Sequence, residues 1–239
     1  DRRPAVIVRC GTVENVAPAI RIARENGLEI SIRGGGHNIT GNAVCDGGVM
    51  IDLSALTQVR VDPDRRWAAV EPGVTLHQFD AAAQAHGLAA PTGINSTTGI
   101  AGLTLGGGFG WLTRKYGMTI DSLTAADMVT AEGRLVRASA TENADLFWAL
   151  RGGGGNFGVV TRFEFELHPV GPEVLAGLIV FPLDQARAVL EQYRDFVAAA
   201  VPELSVWLVL RQVPPVPFLS PTIHGREAIF LAVFYAGPI

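Results

Sequence analysis

Two glycine-rich stretches hold the residues of this chain that are best placed to do chemistry. The first, Arg33-Gly34-Gly35-Gly36-His37-Asn38, directly follows an alternating run of strand-forming residues and ends beside an imidazole. Without Cβ atoms, successive peptide groups can turn their N–H donors toward one point, which is how a chain cradles a pyrophosphate. The neighbouring His37 is either a hydrogen-bonding loop group or a nucleophile. Taken alone, a glycine triplet is more often a tight turn. The GxGxxG spacing of a Rossmann fold is absent, since Gly41 and Asn42 lead into more loop.

The second stretch runs from Pro91-Thr92-Gly93 through Thr97-Thr98-Gly99-Ile100-Ala101-Gly102 to Gly106-Gly107-Gly108-Phe109-Gly110. It reads as too poor in side chains to build a core. Its amides and threonine hydroxyls suit the lining of an extended, phosphate-bearing ligand. Ile100, Leu103, Leu105, Phe109 and Trp111 are too many apolar residues for a flexible linker. The remaining histidines offer less. His77 and His86 lie nine residues apart on one predicted helix, not at the four-residue spacing of a metal-binding face. His168 ends a strand and His224 sits in a loop, so no metal site is expected. No GxSxG motif supports a hydrolase.

The elements that position these stretches can be read from periodicity. Ala5 to Val8 is a buried strand, and Thr12 caps a helix using Val13, Val16 and Ile20, stopped by Gly27. Pro18 sits awkwardly inside that helix. Glu29 to Arg33 alternates as a second strand, giving a βαβ unit with a parallel pair. Val49 to Leu53 is a third strand. A hairpin joins Val59–Val61 to Trp67–Val70 through Asp62-Pro63-Asp64, and Thr75 with Gln78 forms a capping box for a helix ending at Gly87. Ala125–Thr130 and Leu135–Ala138 flank a turn at Glu132-Gly133, and a helix near Glu142–Leu150 leads into Gly152–Gly155. Val160 to Leu167 alternates with Phe163, Phe165 and Leu167 on one face and Arg162, Glu164 and Glu166 on the other. Beyond Pro169–Pro172 the character changes: a strand at Leu178–Phe181, a helix at Asp184–Ala199 and strands near Trp207–Leu210 and Ile229–Tyr235 form a second, incomplete unit.

Composition limits the function classes. The 239 residues are 48% hydrophobic and 18% charged, enough to bury a sizeable core. A net charge of -4 leaves no basic excess for nucleic acid. No apolar run approaches the roughly 18 residues that would cross a bilayer. Cys10 and Cys45 read as unpaired and reduced. Asp1-Arg2-Arg3-Pro4 contains neither an initiator Met nor a signal-peptide core. The expected location is cytoplasmic and bacterial in type, with secretion left open.

Three motifs in order make a specific resemblance: Arg33 to Asn38, Gly106 to Gly117 (GGGFGWLTRKYG), and Asp145 to Val160 (DLFWALRGGGGNFGVV). Together they resemble the berberine bridge enzyme-like oxidases, over about residues 4 to 170. The resemblance implies an α+β fold: an FAD-binding domain of the p-cresol methylhydroxylase (vanillyl-alcohol oxidase) type over 1–172, with subdomains near 1–56 and 57–172. The start of an antiparallel-sheet substrate domain over 173–239 would follow. In this family a histidine matching His37 bonds to the flavin 8α carbon, as a neutral imidazole attacking an electrophilic form of the ring. A second bond from a cysteine, found in many relatives, falls at Asn95 here, so a singly linked FAD is implied.

By the same resemblance Arg33, Gly34, Gly35, Gly36, His37, Asn38 and Gly41 line the pyrophosphate. Thr97, Thr98, Gly99 and Gly102, with Gly106 and Gly107, line the isoalloxazine and ribityl side, and the backbone near Val159 and Val160 meets the adenosine end. Leu103 stands where some relatives carry a histidine. Leu146, Phe147 and Trp148 are expected in the core, and Arg114, Lys115 and Tyr116 as packing and positioning residues. The implied activity takes hydride from a C–H of a sugar, alcohol or amine-type substrate to flavin N5, with dioxygen as acceptor and hydrogen peroxide as product. The catalytic base of relatives lies in a region beyond Ile239, so none is assigned. A flavin-binding fragment or noncatalytic module is the alternative, and an NADPH-dependent sugar-nucleotide reductase a more distant one. Oligomeric state is left open.

Overall fold

The β-branched run near the amino terminus forms β1, Val6–Arg9, in a computed structural model that describes residues 1–238. A single 3-10 turn, Val13–Asn15, precedes α1, Val16–Glu25. Thr12 therefore caps the turn and not the helix, its amide donating to Asn15 Oδ1 at 3.1 Å. Pro18 falls in the first turn of α1, where a helix has no use for its missing N–H. Val16, Ala19, Ile20 and Ala23 form the buried face, and Gly27, at φ +61°, ends the helix region in a conformation that favours glycine.

The next strands are β2, Ile30–Arg33, and β3, Val49–Asp52. The sequence suggests that the first two strands pair with each other. Instead β3 lies between them, parallel to both, in the order β1-β3-β2. All four residues of β3 are buried, as suits the central strand of a parallel sheet.

A hairpin follows, β4, Val59–Asp62, and β5, Trp67–Val70, and then α2, Leu76–Gln84, with its Thr75–Gln78 capping box. The short strand β6 is Leu88–Ala89. Within the glycine-rich passage lie two short helices, α3, Ile100–Leu105, and α4, Thr113–Tyr116. The antiparallel strands β7, Leu123–Val129, and β8, Leu135–Ser139, precede α5, Ala144–Leu150. The long strand β9, Val159–Glu166, and the short β10, His168–Pro169, complete this part of the chain. Five strands form one antiparallel sheet in the order β4-β5-β9-β7-β8, while β10 pairs with β6.

The alternation of β9 is what fills the larger core. Phe163, Phe165 and Leu167 are buried on one face, with the Phe165 ring 5.4 Å from that of Phe79 on α2. Ile100, Ala101 and Leu105 join this core, so the passage read as too sparse to build one contributes a helix to it. The smaller core lies on the parallel sheet, where Val16, Ile20, Val49 and Ile51 pack together with Val129 of β7 and Val159 of β9. Of the three residues expected in the core from α5, Phe147 is buried and Leu146 packs at its margin, but Trp148 is 78% exposed.

The polar face of β9 is not simply solvated. Arg137 grips Glu164 with two bonds of 2.8 Å and reaches Asp127 at 3.2 Å, while Arg162 contacts Asp127 at 2.8 Å. The bonds from Arg137 hold the Glu164 carboxyl below the usual carboxylate range against the opposing effect of burial.

The chain divides into two compact units, Asp1–Gly171 and Pro172–Ile239. The second contains β11, Leu175–Pro182, α6, Ala186–Ala199, β12, Leu204–Gln212, and β13, Glu227–Tyr235. Its antiparallel sheet has the order β11-β13-β12. Tyr193 ties α6 to β12 by donating its hydroxyl to Val206 O at 2.7 Å. Between helix and sheet is an apolar cleft of about 470 Å³ lined by Phe181, Val189, Phe196, Leu231 and Val233 among others.

The network on β9 has a pH signature. A carboxyl whose folded pKa is depressed contributes stability above its unfolded value and loses it as pH falls through the folded value. Arg137→Leu should therefore cost about 1.5–3 kcal/mol at pH 7. It should also make the acid loss of stability below about pH 4 shallower than in the parent. Urea denaturation at pH 7 and pH 3.5 checks both; an equal cost at the two pH values would refute the ion-pair account.

Candidate functional site

β2 delivers the chain to the first glycine stretch at a fixed height, because Leu53 N–H donates to Arg33 O at 2.8 Å where the parallel sheet ends. Among the described residues, the amides of Gly34, Gly35, Gly36, His37 and Asn38 donate to no protein acceptor. Peptide donors in that state turn to water or to a ligand. Gly36 has φ +74°, and a Cβ there would also lie 3.2 Å from Arg33 Nε. The Arg33 guanidinium is partly committed, bonding the carboxylate of buried Asp52 at 3.2 Å while staying 40% exposed. Asn38 turns its side chain back on the loop, Oδ1 accepting from the Asn42 amide and the Thr40 hydroxyl, both at 2.8 Å. Arg2 secures the far end by donating to Gly41 O at 3.0 Å.

The second stretch is fixed by α2. The first amides of that helix, on Leu76 and His77, donate to Thr98 O at 2.9 Å and Ser96 O at 3.0 Å. Donors that a helix start leaves free thus hold the 96–98 segment in place. Asn95 braces the same segment from the other side. Its Oδ1 accepts from Thr97 N–H at 3.1 Å and the Thr97 hydroxyl at 2.8 Å, and its carbonyl accepts from Thr98 N–H at 3.0 Å.

The two stretches meet backbone to backbone. A Cβ added to Gly35 would land on the amide nitrogen and Cα of Gly99, and one added to Gly99 would land on those of Gly35. Two residues after Gly35 and two before Gly99, His37 Nε2 lies 3.0 Å from Thr97 Oγ1. His37 and Thr97 are both exposed, so the imidazole edge is open to solvent where the two stretches meet. Gly102 and Gly106 are exposed on the same glycine-rich segment, and a Cβ at Gly102 would meet nothing within 4 Å. Gly107 is buried at φ +106° against Met118, and Thr98 is half-buried. The structure thus brings Gly34 to His37 together with Thr97 to Gly99.

Val159 and Val160 enter differently. Their side chains are buried in the smaller and the larger core respectively. Their backbones pair with β7, while the register of β5 on the opposite edge begins only at Phe163. Leu103 is half-buried, its methyl 3.1 Å from where a Gly93 Cβ would be. Tyr116 stacks on His168 at 4.0 Å, and the Lys115 ammonium lies 5.2 Å from the Tyr116 ring. His86 lies beyond the end of α2, not on the helix with His77.

Two residues were not singled out for their structural role. Asn95 stood in the sequence only as a position lacking cysteine; an Asn in a turn commonly accepts from the backbone N–H two residues on, and this signal would have marked its bracing function. Asp80 on α2 accepts from the Thr92 hydroxyl at 3.4 Å, and burial pushes its carboxyl up to about 6 against the Thr92 bond and the nearby His77. Among the described residues no group of three or more His, Cys, Asp or Glu could hold a metal ion, and no helix is long and apolar enough to cross a membrane.

Comparison with known proteins agrees with the motifs. The profile of a family described as FAD binding domain matches residues 4–139. The chain is 43% identical over 180 residues to (R)-6-hydroxynicotine oxidase of Paenarthrobacter nicotinovorans, covering 75% of this chain and 39% of that protein. The crystal structure of 6-hydroxy-D-nicotine oxidase from Arthrobacter nicotinovorans superposes with a TM-score of 0.89 at 34% identity, covering 100% of this chain and 51% of that one. A berberine bridge enzyme-like protein of Physcomitrella patens gives 0.88 at 28% identity, covering 99% and 50%. The chain therefore spans about half, or less, of the length of the relatives it matches.

The glycine contact and Asp80 each predict a stability change. Gly35→Ala and Gly99→Ala should each destabilise the fold by at least about 1–3 kcal/mol through backbone overlap. Gly102→Ala, in a helix with open space, should be neutral or stabilising by about 0.5–1 kcal/mol. Thermal unfolding separates them; equal behaviour of all three would contradict the close approach. For Asp80, a raised carboxyl pKa penalises the folded state as pH rises from about 4 to about 6. Asp80→Asn should therefore raise stability at pH 7.5 by about 1–3 kcal/mol and leave it unchanged at pH 4, and no gain at pH 7.5 would remove the burial argument.

Proposed function

This chain belongs to the FAD-binding-domain family of FAD-linked oxidoreductases, and on that premise we propose that it is the flavin-holding part of an oxidase in which His37 is the covalent anchor of FAD. The observation that carries the reading is the direct backbone contact of Gly35 with Gly99, beside which His37 and Thr97 meet side chain to side chain. The fit to a dinucleotide rests on chemistry present there. A run of amides without protein acceptors, from Gly34 to Asn38, suits phosphate oxygens, and the exposed imidazole of His37 suits a bond to a ring methyl.

In this reading Arg33, Gly34, Gly35, Gly36, Asn38 and Gly41 hold the pyrophosphate. Thr97, Thr98, Gly99, Gly102, Gly106 and Gly107 hold the ring and ribityl chain, and the backbone at Val159 and Val160 meets the adenosine. The role of the protein is to bind and orient: the sheet end fixes one wall, α2 fixes the other, and glycines let the ligand approach the backbone closely. Bound FAD would supply a two-electron acceptor for a C–H of a sugar, alcohol or amine-type substrate, with dioxygen as the final oxidant and hydrogen peroxide as product. An amine substrate draws some support from the relative named for 6-hydroxynicotine. Asn95, and not a cysteine, at the position of the second link supports a single covalent bond.

A second reading is a flavin-binding module without turnover. One experiment addresses both. The purified chain is loaded with FAD, acid-precipitated, and its pellet examined for flavin absorbance, alongside peroxide assays with sugar, alcohol and cyclic-amine panels. Flavin in the pellet with peroxide production supports the oxidase, and flavin without turnover supports the module. Chain that takes up no FAD counts against both. His37→Ala should leave all flavin in the supernatant; an adduct surviving in that variant by mass spectrometry would overturn the assignment of His37.

A further inference from the structure

We infer that Asn95 and Thr97 are positioning residues that fix the protonation pattern of His37, leaving Nδ1 as the nitrogen with a free lone pair. The inference rests on the reading above that His37 joins the flavin, and deepens it by naming what prepares the imidazole.

The argument is one of hydrogen count. Asn95 Oδ1 lies 3.1 Å from Thr97 N–H and 2.8 Å from Thr97 Oγ1. The backbone N–H can only donate, so the side-chain atom facing it is the oxygen and not the NH₂ group. An amide oxygen can only accept, so at 2.8 Å the single proton of the Thr97 hydroxyl must point at Asn95. Turned the other way, that hydroxyl would set two oxygen lone pairs against each other. With its proton committed, Thr97 Oγ1 can only accept from His37 Nε2, 3.0 Å away. A neutral His37 therefore carries its hydrogen on Nε2 and presents Nδ1 unprotonated.

The arrangement has a reason to be rigid. Asn95 is itself tied into the turn by accepting from Thr98 N–H, and Ser96 and Thr98 accept from the first amides of α2. The backbone that carries Thr97 is thus referred to a helix start, while the Asn95 side chain sets the hydroxyl. In the linking step a bond forms between Nδ1 and the 8α carbon, and a C–H bond of that methyl breaks. The electron pair of that C–H bond passes to the ring and then to dioxygen, which leaves as hydrogen peroxide with two protons: one from the methyl, one from the imidazole.

The test separates this inference from its premise. In the chain labelled with ¹⁵N and free of FAD, long-range ¹H–¹⁵N correlation spectra report which nitrogen of His37 is protonated, independently of any flavin. The expected pattern is the Nε2–H tautomer, converting to a mixture in Thr97→Val and restored in Thr97→Ser. Adduct formation on adding FAD, followed by mass spectrometry, should be about tenfold slower in Thr97→Val, the rate equivalent of one lost hydrogen bond, and close to parental in Thr97→Ser. Asn95→Ala frees the threonine proton and should also slow it. An Nδ1–H tautomer in the parent chain, or parental adduct rates in Thr97→Val, would overturn the positioning role while leaving the anchor in place. A parent chain that binds FAD and never forms an adduct would overturn the anchor, and this inference with it.

Discussion

The candidate site depends on a single close approach: two peptide backbones, at Gly35 and Gly99, touch where any side chain would collide. Residues 64 positions apart in sequence are brought there by different architectures, the end of a parallel sheet on one side and the start of a helix on the other. Because the contact is between main chains, its geometry does not vary with rotamers. What lies to either side inherits that fixity, including the imidazole of His37 and the hydroxyl of Thr97. A site meant to hold an extended ligand along exposed amides gains most from such preorganisation, since little ordering remains to be done when the ligand arrives.

Around that contact the protein separates holding from chemistry. The glycine walls offer N–H groups and space, whereas the few side chains present act on one another. Arg33 is restrained by Asp52, Asn38 by its own loop, and Thr97 by Asn95. His37 is the ring that these restraints leave facing outward. Family membership and the likeness to 6-hydroxy-D-nicotine oxidase give that arrangement its context, an FAD-linked oxidoreductase scaffold of mixed helix and sheet.

Much of this was legible in the sequence, for identifiable reasons. The alternation of Phe163, Phe165 and Leu167 gave β9 and its buried face, and Thr75 with Gln78 gave the start of α2, because both signals are local. Strand order was not local. Nothing in β1 or β2 says that β3 slides between them; only its unbroken burial does, and burial is a tertiary property. The glycine-rich passage concealed α3 because Gly99, Gly102 and Gly106 suggest loop, while Ile100, Ala101 and Leu105 are held helical by the core they enter. Trp148 was misplaced because an apolar residue on a short helix has no period long enough to fix its face. The convergence of the two glycine stretches was implied by the family resemblance that the motifs carry, but the part played by Asn95 required coordinates, since it lies in where one oxygen points.

The sharing of strands between the two cores has a mechanical consequence. β7 and β9 place Val129 and Val159 in the smaller core, yet Met128, Val160, Phe163 and Phe165 of the same strands belong to the larger one. Neither layer can loosen without dragging continuous, hydrogen-bonded strands out of the other. Parting the two glycine stretches would therefore strain strands that both cores share.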